Sequence, residues 1–353
     1  MSYDFTSINQ PFSNQIKLDG KTYLYFGGTA YLGLPNNGDF IELYIEGVKR
    51  YGLNNGTSRT NNIQLGIYDE AEQVAANRFG SEDALIISSG YLAAQLAIQG
   101  LSSFGKVRYS PAAHPALWLY TEPEFSGTTF ADWKNETVEL INHSEESTWV
   151  LISNSMNNLF PEIFNFDFLS LIDVKKKVIM IIDDSHGIGV NNNGLGAISQ
   201  IPKRPNTEVV VVASMAKALG VDAGVILGSK SIISQLKSSP VFSGASPSAA
   251  AGLYAFVHAQ DIYNSALEQL QLNISYLSRQ MKEDWNHAQG FPVFLANSEA
   301  IGKNLMEEKI LISSFAYPYN NSPSINRIVL SSWHTTDDID QLMGALSTIA
   351  GKY

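Results

Sequence analysis

Val209-Val-Val-Val212 is a run of four β-branched residues with no polar position on either side of the pleat. Such a segment fits best as a strand covered on both faces, the situation of a mainly parallel sheet between two helical layers. Ala213-Ser-Met-Ala-Lys217-Ala-Leu-Gly220 comes next, so one lysine stands among small residues just past the strand's C-terminal end. Open α/β sheets gather their reactive groups where strands end. A desolvated amine there has a lowered pKa and can form a Schiff base with a carbonyl substrate or with pyridoxal phosphate (PLP); a solvated loop lysine is the alternative.

Val178-Ile-Met-Ile-Ile182 is a second apolar run, and it delivers Asp183-Asp184-Ser185-His186-Gly187 at its own end. Adjacent carboxylates after an apolar strand call for a cationic partner or a capping role. A pyridinium nitrogen is such a partner, and its proton makes a pyridoxal ring an electron sink. His186 could then hydrogen-bond the ring's phenolic oxygen, or be a packed core histidine. Ile86-Ile87-Ser88-Ser89-Gly90-Tyr91 reads as a strand entering a helix through a small-residue turn, whose N–H groups and dipole suit a phosphate. Ser214 could add a hydroxyl to that phosphate. His114, after Ser110-Pro-Ala-Ala and before Pro115, could stack on a flat cofactor. Arg327 lies in Ile325-Asn-Arg-Ile-Val-Leu330 and offers the planar fork that matches an amino-acid carboxylate.

Strand candidates at 84–87, 106–109, 137–142, 149–152, 178–182, 208–213 and 223–227 alternate with helical patterns, among them 39–51 and 69–79. This alternation predicts an α/β fold with a doubly wound, mostly parallel seven-stranded sheet. Residues 1–35 read as an N-terminal arm, 36–245 as the large domain, and 246–353 as a connecting helical stretch (246–282) with a small α+β C-terminal domain. Expected in that last part are strands at 292–295, 310–316 and 326–331, a helix at 298–307 and a final helix from Asp337, capped within Thr335-Thr-Asp-Asp.

Composition removes several function classes. The 353 residues contain no cysteine, which excludes thiol catalysis and Cys-ligated metals, and the six histidines include no HExxH pair. No metal site is expected. Acidic residues outnumber basic ones 34 to 23, a net charge of −11 with no basic stripe, so nucleic acid is not an expected partner. No apolar run reaches the roughly 18 residues of a membrane span, and Met1 to Phe12 lacks a basic-then-apolar leader. A cytoplasmic protein is the expectation. No G-x-G-x-x-G follows a strand near the N-terminus, which argues against a dinucleotide-binding protein.

Together these stretches resemble the α-oxoamine synthase group of fold-type-I PLP enzymes, which includes 8-amino-7-oxononanoate synthase and glycine C-acetyltransferase. The matching segments are Tyr23-Leu-Tyr-Phe with Tyr31-Leu-Gly-Leu34, Gly56-Thr-Ser-Arg59, Ser89-Gly-Tyr91, Asp183-Asp-Ser-His-Gly-Ile-Gly-Val190, Ser214-Met-Ala-Lys-Ala-Leu-Gly220 and Arg327 with His334. The resemblance implies that Lys217 is the Schiff-base lysine, Asp183 the pyridinium partner, His186 the donor to the ring oxygen and His114 the stacking group. It further implies a phosphate site at Ser89, Gly90, Tyr91 and Ser214, a carboxylate site at Arg327, and a homodimer with active sites at the subunit interface.

Several positions depart from the family pattern. Thr29 replaces an asparagine, Tyr68 a histidine and Ala94 an asparagine. Asn154, in a divergent 153–161 loop, replaces a glutamate. Gly244 replaces a phosphate-contacting threonine donated across the dimer, for which Ser243 or Ser246 could substitute. Thr29 and Asn154 are accordingly expected near the substrate. The expected activity is a PLP-dependent transfer in which a small amino acid condenses with an acyl-CoA, with an aminotransferase as the alternative; a protein keeping the fold in a non-catalytic role is the third reading.

Overall fold

The computed structural model describes residues 5–124, 129–157, 159–281, 285–316 and 321–350. Asn158 of the divergent loop and Lys282, the expected end of the connecting helical stretch, lie outside them. The chain forms two compact units, a larger one of residues 42–157 and 163–260 and a smaller one of 1–41, 158–162 and 261–353.

The larger unit is built on a six-stranded sheet. Its order is Asp83–Ile87, Gly224–Gly228, Thr207–Ser214, Lys177–Asp183, Thr148–Asn154, Lys106–Tyr109. The last four of these are mutually parallel, and Gly224–Gly228 runs antiparallel to both of its neighbours. The apolar runs at 149–152, 178–182 and 210–213 are buried at every position, as strands sandwiched between helices must be. Helix Gly90–Leu101 packs Ala93, Leu96, Ala97 and Leu101 into the cluster that also holds Val210, Val212 and Ile226.

Pairing register brings the strand ends to one edge. Asp183 stands opposite Asn154 on one side and Val212 on the other. Gly224, the first residue of the antiparallel strand, stands opposite both Ser214 and Ile87. The C-terminal ends of five strands therefore share an edge, which is where an open α/β sheet carries its ligand.

The expected seventh strand is not there. Residues 137–142 belong to helix Phe130–His143, whose N-cap Thr129 accepts the Asp132 N–H through Oγ1 at 3.1 Å. The β-branched look of Thr137-Val-Glu-Leu-Ile141 is overridden by packing: Phe130, Trp133, Thr137, Val138 and Ile141 fall on one helical face and are buried. Phe130 stacks on Phe164 with ring centroids 4.0 Å apart.

The smaller unit has its own six-stranded sheet, ordered Gln15–Leu18, Lys21–Phe26, Ile310–Ala316, Ser324–Val329, Val293–Ala296, Trp285–His287. Only Lys21–Phe26 with Ile310–Ala316 is a parallel pair. Within the stretch read as an arm, hairpin Gln15–Phe26 extends the sheet of the smaller unit, with Tyr23, Leu24 and Phe26 buried. The other boundary lies at 260 rather than 245. Helix Ala250–His258 belongs to the larger unit because it lies against the 42–51 helical segment so closely that a Cβ at Gly47 would stand 2.7 Å from Ala251 Cα.

Candidate active site

Lys217 sits in the turn between the antiparallel pair Thr207–Ser214 and Gly224–Gly228, half-buried at the shared edge. Its Nζ lies 3.0 Å from Nε2 of His186, which follows the Lys177–Asp183 strand. Neighbouring strands thus deliver a nitrogen base and an amine to the same point.

Asp183 and Asp184 leave their strand toward opposite sides, as successive strand residues do. Asp183 is partly exposed at the edge, and its Oδ1 accepts the Ser185 N–H at 2.9 Å. Asp184 is buried, accepts the Ala197 N–H on Oδ2 at 2.7 Å, and borders a cavity of about 260 Å3 that Ser155, Asp167 and Asn191 share with Ile163, Phe164 and Phe166. Burial pushes the Asp184 carboxyl up to about 7, with Ser155 and the Ala197 N–H opposing the rise and Asp183 adding to it.

His114 reaches the cluster from the end of strand Lys106–Tyr109. Although the residue keeps an exposed surface, enough protein surrounds the ring to lower its pKa by desolvation. The Asp183 carboxylate opposes that shift and the Lys217 ammonium reinforces it, so all three groups share one electrostatic neighbourhood. His114 Nδ1 accepts the Ala116 N–H at 3.1 Å, capping the short helix Pro115–Leu117.

The turn at Ser89-Gly90 is packed against the lysine strand. A Cβ at Gly90 would meet Ser214 Cβ at 2.5 Å and Cα at 2.6 Å, and one at Gly224 would meet Ser89 O at 2.1 Å. Only glycine permits this approach, which sets the N-terminus of the twelve-residue helix Gly90–Leu101 beside Ser214. Ser89 Oγ is occupied as that helix's N-cap, accepting the Leu92 N–H at 3.2 Å. Tyr91 is exposed, in the first turn.

The remaining candidates divide. Ser243 donates its hydroxyl to Ser239 O at 3.1 Å, within its own short helix Pro240–Gly244. Asn154 accepts the His114 N–H at 3.1 Å and donates to Ala112 O at 2.7 Å. Arg327 and Thr29 belong to the smaller unit. Arg327 is buried with its guanidinium 5.0 Å from the centre of the Phe315 ring; burial lowers its pKa while the Tyr31 phenol opposes the shift. Thr29 lies in the turn after Lys21–Phe26, where its carbonyl accepts the Tyr31 N–H at 2.9 Å.

Two supports are not legible in the sequence. Ser185 Oγ accepts the Ser214 N–H at 2.8 Å and ties the aspartate strand to the lysine strand. Glu72, 3% exposed, bonds the Ile86 N–H and Arg59 Nη1, both at 2.9 Å, and Lys237 Nζ at 2.7 Å, anchoring the strand that enters the Ser89 turn. Arg59 also lies over the Tyr68 ring at 4.8 Å. The one signal for this network is Glu72 itself, a carboxylate on the helix face that carries Tyr68, Ala75, Ala76 and Phe79.

The family description Aminotransferase class I and II matches residues 26–346. The 8-amino-7-oxononanoate synthase of Buchnera aphidicola subsp. Baizongia pistaciae is 25% identical over 353 residues, covering 94% of this chain and 90% of its own. The serine palmitoyltransferase of Sphingobacterium spiritivorum is 22% identical over 357 residues, covering 96% and 89%. Among solved structures, a serine palmitoyltransferase from S. paucimobilis with PLP and myriocin bound superposes with a TM-score of 0.80 at 15% identity, over 97% of this chain and 91% of that one.

Proposed function

The chain belongs to the aminotransferase class I and II family, and from that premise we propose a PLP-dependent transferase that condenses a small amino acid with an acyl-CoA. The observation that carries this reading is the convergence of Lys217, His186, Asp183 and His114 on one sheet edge, beside a turn that only glycine permits. The chain's own groups fit the cofactor. The N-terminus of Gly90–Leu101 and Ser214 would hold the phosphate, Asp183 would hold a proton at the pyridine nitrogen, and His114 would cover the ring.

PLP, when bound, supplies the electron sink that lets a Cα substituent leave as a cation-equivalent. Lys217 and His186, 3.0 Å apart, form a pair between which a proton can move. Arg327 would bind the substrate carboxylate through its fork. In the overall reaction Cα loses a proton or carbon dioxide and bonds to the thioester carbonyl carbon, and the C–S bond breaks to release CoA thiol. The relatives named above support condensation over amino transfer, since both are named for condensed products or acyl transfer.

The same reading includes a homodimer in the cytoplasm. No described helix is long and apolar enough to cross a membrane, and no described group of three or more His, Cys, Asp or Glu could hold a metal. The deciding experiment supplies PLP-loaded protein with glycine, alanine or serine and then short acyl-CoAs. Release of free thiol supports condensation. Conversion of the cofactor to pyridoxamine phosphate with no thiol release establishes the aminotransferase instead.

A further inference from the structure

Asn154 ends the Thr148–Asn154 strand directly opposite Asp183, in the position that invites a substrate or cofactor contact. Its side chain is engaged by the backbone of the 110–114 loop. Oδ1 accepts the His114 N–H at 3.1 Å and Nδ2 donates to Ala112 O at 2.7 Å. The partners decide which end of the amide faces which: an N–H needs an acceptor and a carbonyl needs a donor.

The loop so held is unusual. Ala112 has φ of +55°, a left-handed conformation in which a residue with a Cβ is strained. Its neighbours are anchored as well: Ser110 N–H to Ile152 O at 2.8 Å, Ser110 Oγ to Ser153 Oγ at 2.8 Å, and Trp118 Nε1 to Ala113 O at 2.9 Å. The loop leads straight into His114, whose Nδ1 lone pair receives the Ala116 N–H. That bond requires an unprotonated Nδ1, so a neutral ring carries its proton on Nε2.

We propose that Asn154 is a positioning residue that acts through His114, holding the 110–114 loop around the left-handed Ala112 so that the imidazole presents its neutral Nε2–H form to the catalytic edge, and that it does not itself contact substrate. The assignment of His114 to the cofactor rests on the function proposed above; the clamp does not. Only a carboxamide on a short stem supplies both the acceptor and the donor. A glutamate or aspartate would set a carboxylate against Ala112 O and place a negative charge beside the ring.

The test is heteronuclear NMR of His114 in cofactor-free protein, reading its tautomer from the two ring-nitrogen shifts and its titration midpoint. Wild type is compared with Asn154→Ala, which loses both bonds, and Asn154→Asp, which keeps the acceptor and loses the donor. The clamp predicts a single Nε2–H form in wild type, and in both variants tautomer mixing with a midpoint moved up toward the ordinary imidazole value, furthest in Asn154→Asp. Unchanged tautomer and midpoint in either folded variant would overturn it, and so would global unfolding of both, which would assign Asn154 to the stability of the whole unit. In PLP-loaded protein Asn154→Ala should lower kcat and displace the pH profile while KM for the amino acid stays near the wild-type value; a rise in KM alone would instead make Asn154 a substrate contact. A colourless protein with an intact clamp sinks the proposed function and spares this inference, whereas a yellow protein with an unresponsive His114 does the reverse.

Discussion

Lys217 Nζ and His186 Nε2 stand 3.0 Å apart, although 31 positions separate them in the chain. The contact exists because the Lys177–Asp183 and Thr207–Ser214 strands are parallel neighbours in register, so that the loops leaving both strands emerge at the same edge. Sheet pairing, and no local motif, makes the site.

Asp183 faces that edge and Asp184 faces away from it. Asp183→Asn should retain PLP and lose about 100-fold or more in kcat, the scale on which removal of an essential proton-holding group acts. Asp184→Asn should keep most of its activity. Steady-state kinetics on the two variants, with bound cofactor quantified by absorbance, checks the pair. A larger kcat loss in Asp184→Asn reverses the assignment.

Asp184 also has a stability signature. Its folded-state pKa of about 7 lies above the value of 3.8 for a free carboxyl, so the folded state binds the proton more tightly. Its contribution to stability is therefore complete below pH about 3.8 and declines as pH rises through 7. Thermal melts from pH 5 to 8 should show wild type losing stability relative to Asp184→Asn across that interval. A constant difference between the two proteins contradicts the assignment.

His334 runs the other way. Its Nδ1 accepts the Ser331 N–H at 2.9 Å, its Nε2 approaches Tyr25 O at 2.9 Å, and its ring stacks on Phe26 with centroids 4.4 Å apart. Burial depresses the pKa, with the Tyr25 and Ser331 carbonyls and Asp338 resisting. A depressed folded-state value means that stability is full above about 6.5 and is lost as pH falls below it. Melts of wild type and His334→Gln at pH 7.5 and 5.5 should show the wild type losing more on acidification.

The turn at Ser89-Gly90 gives a steric contrast. Gly90→Ala drives a Cβ into Ser214 backbone and Cβ atoms, whereas a Cβ at Gly244 meets nothing within 4 Å. Gly90→Ala should weaken PLP binding by about tenfold or more, given the roughly 1–3 kcal/mol that overpacking costs. Gly244→Ser should leave stability within about 0.5 kcal/mol of wild type, as an uncrowded surface change does. Cofactor titration by absorbance and denaturant melts measure both.

Sequence legibility divides along the same line between local and non-local causes. The three central strands, the turn at Ser89-Gly90 and the residues Lys217, Asp183, His186 and His114 are readable because each is a strand or the short segment just past its end. The 137–142 part of the helix at 130–143 reads as a strand because Thr137-Val138 favours one locally, while Thr129 capping and the burial of Phe130 and Trp133 decide the outcome. Asn154 is expected near the substrate from the family resemblance alone; its two bonds to Ala112 and His114 bridge some forty residues of chain and leave no local signal. The edge strands Gln15–Leu18 and Trp285–His287 carry little pattern, being short and only partly buried, and exist because a neighbour pairs with them. The Glu72 network joins Arg59, Ile86 and Lys237 across a span that no window of sequence contains.

The central claim is that Lys217 holds the cofactor, and borohydride tests it most directly. Protein incubated with PLP, reduced with borohydride, digested and mapped by mass spectrometry should carry the reduced pyridoxyl group on the peptide containing Lys217, and Lys217→Ala should lose both the label and the yellow colour. Stoichiometric labelling at another lysine, or undiminished colour and label in Lys217→Ala, would contradict the account.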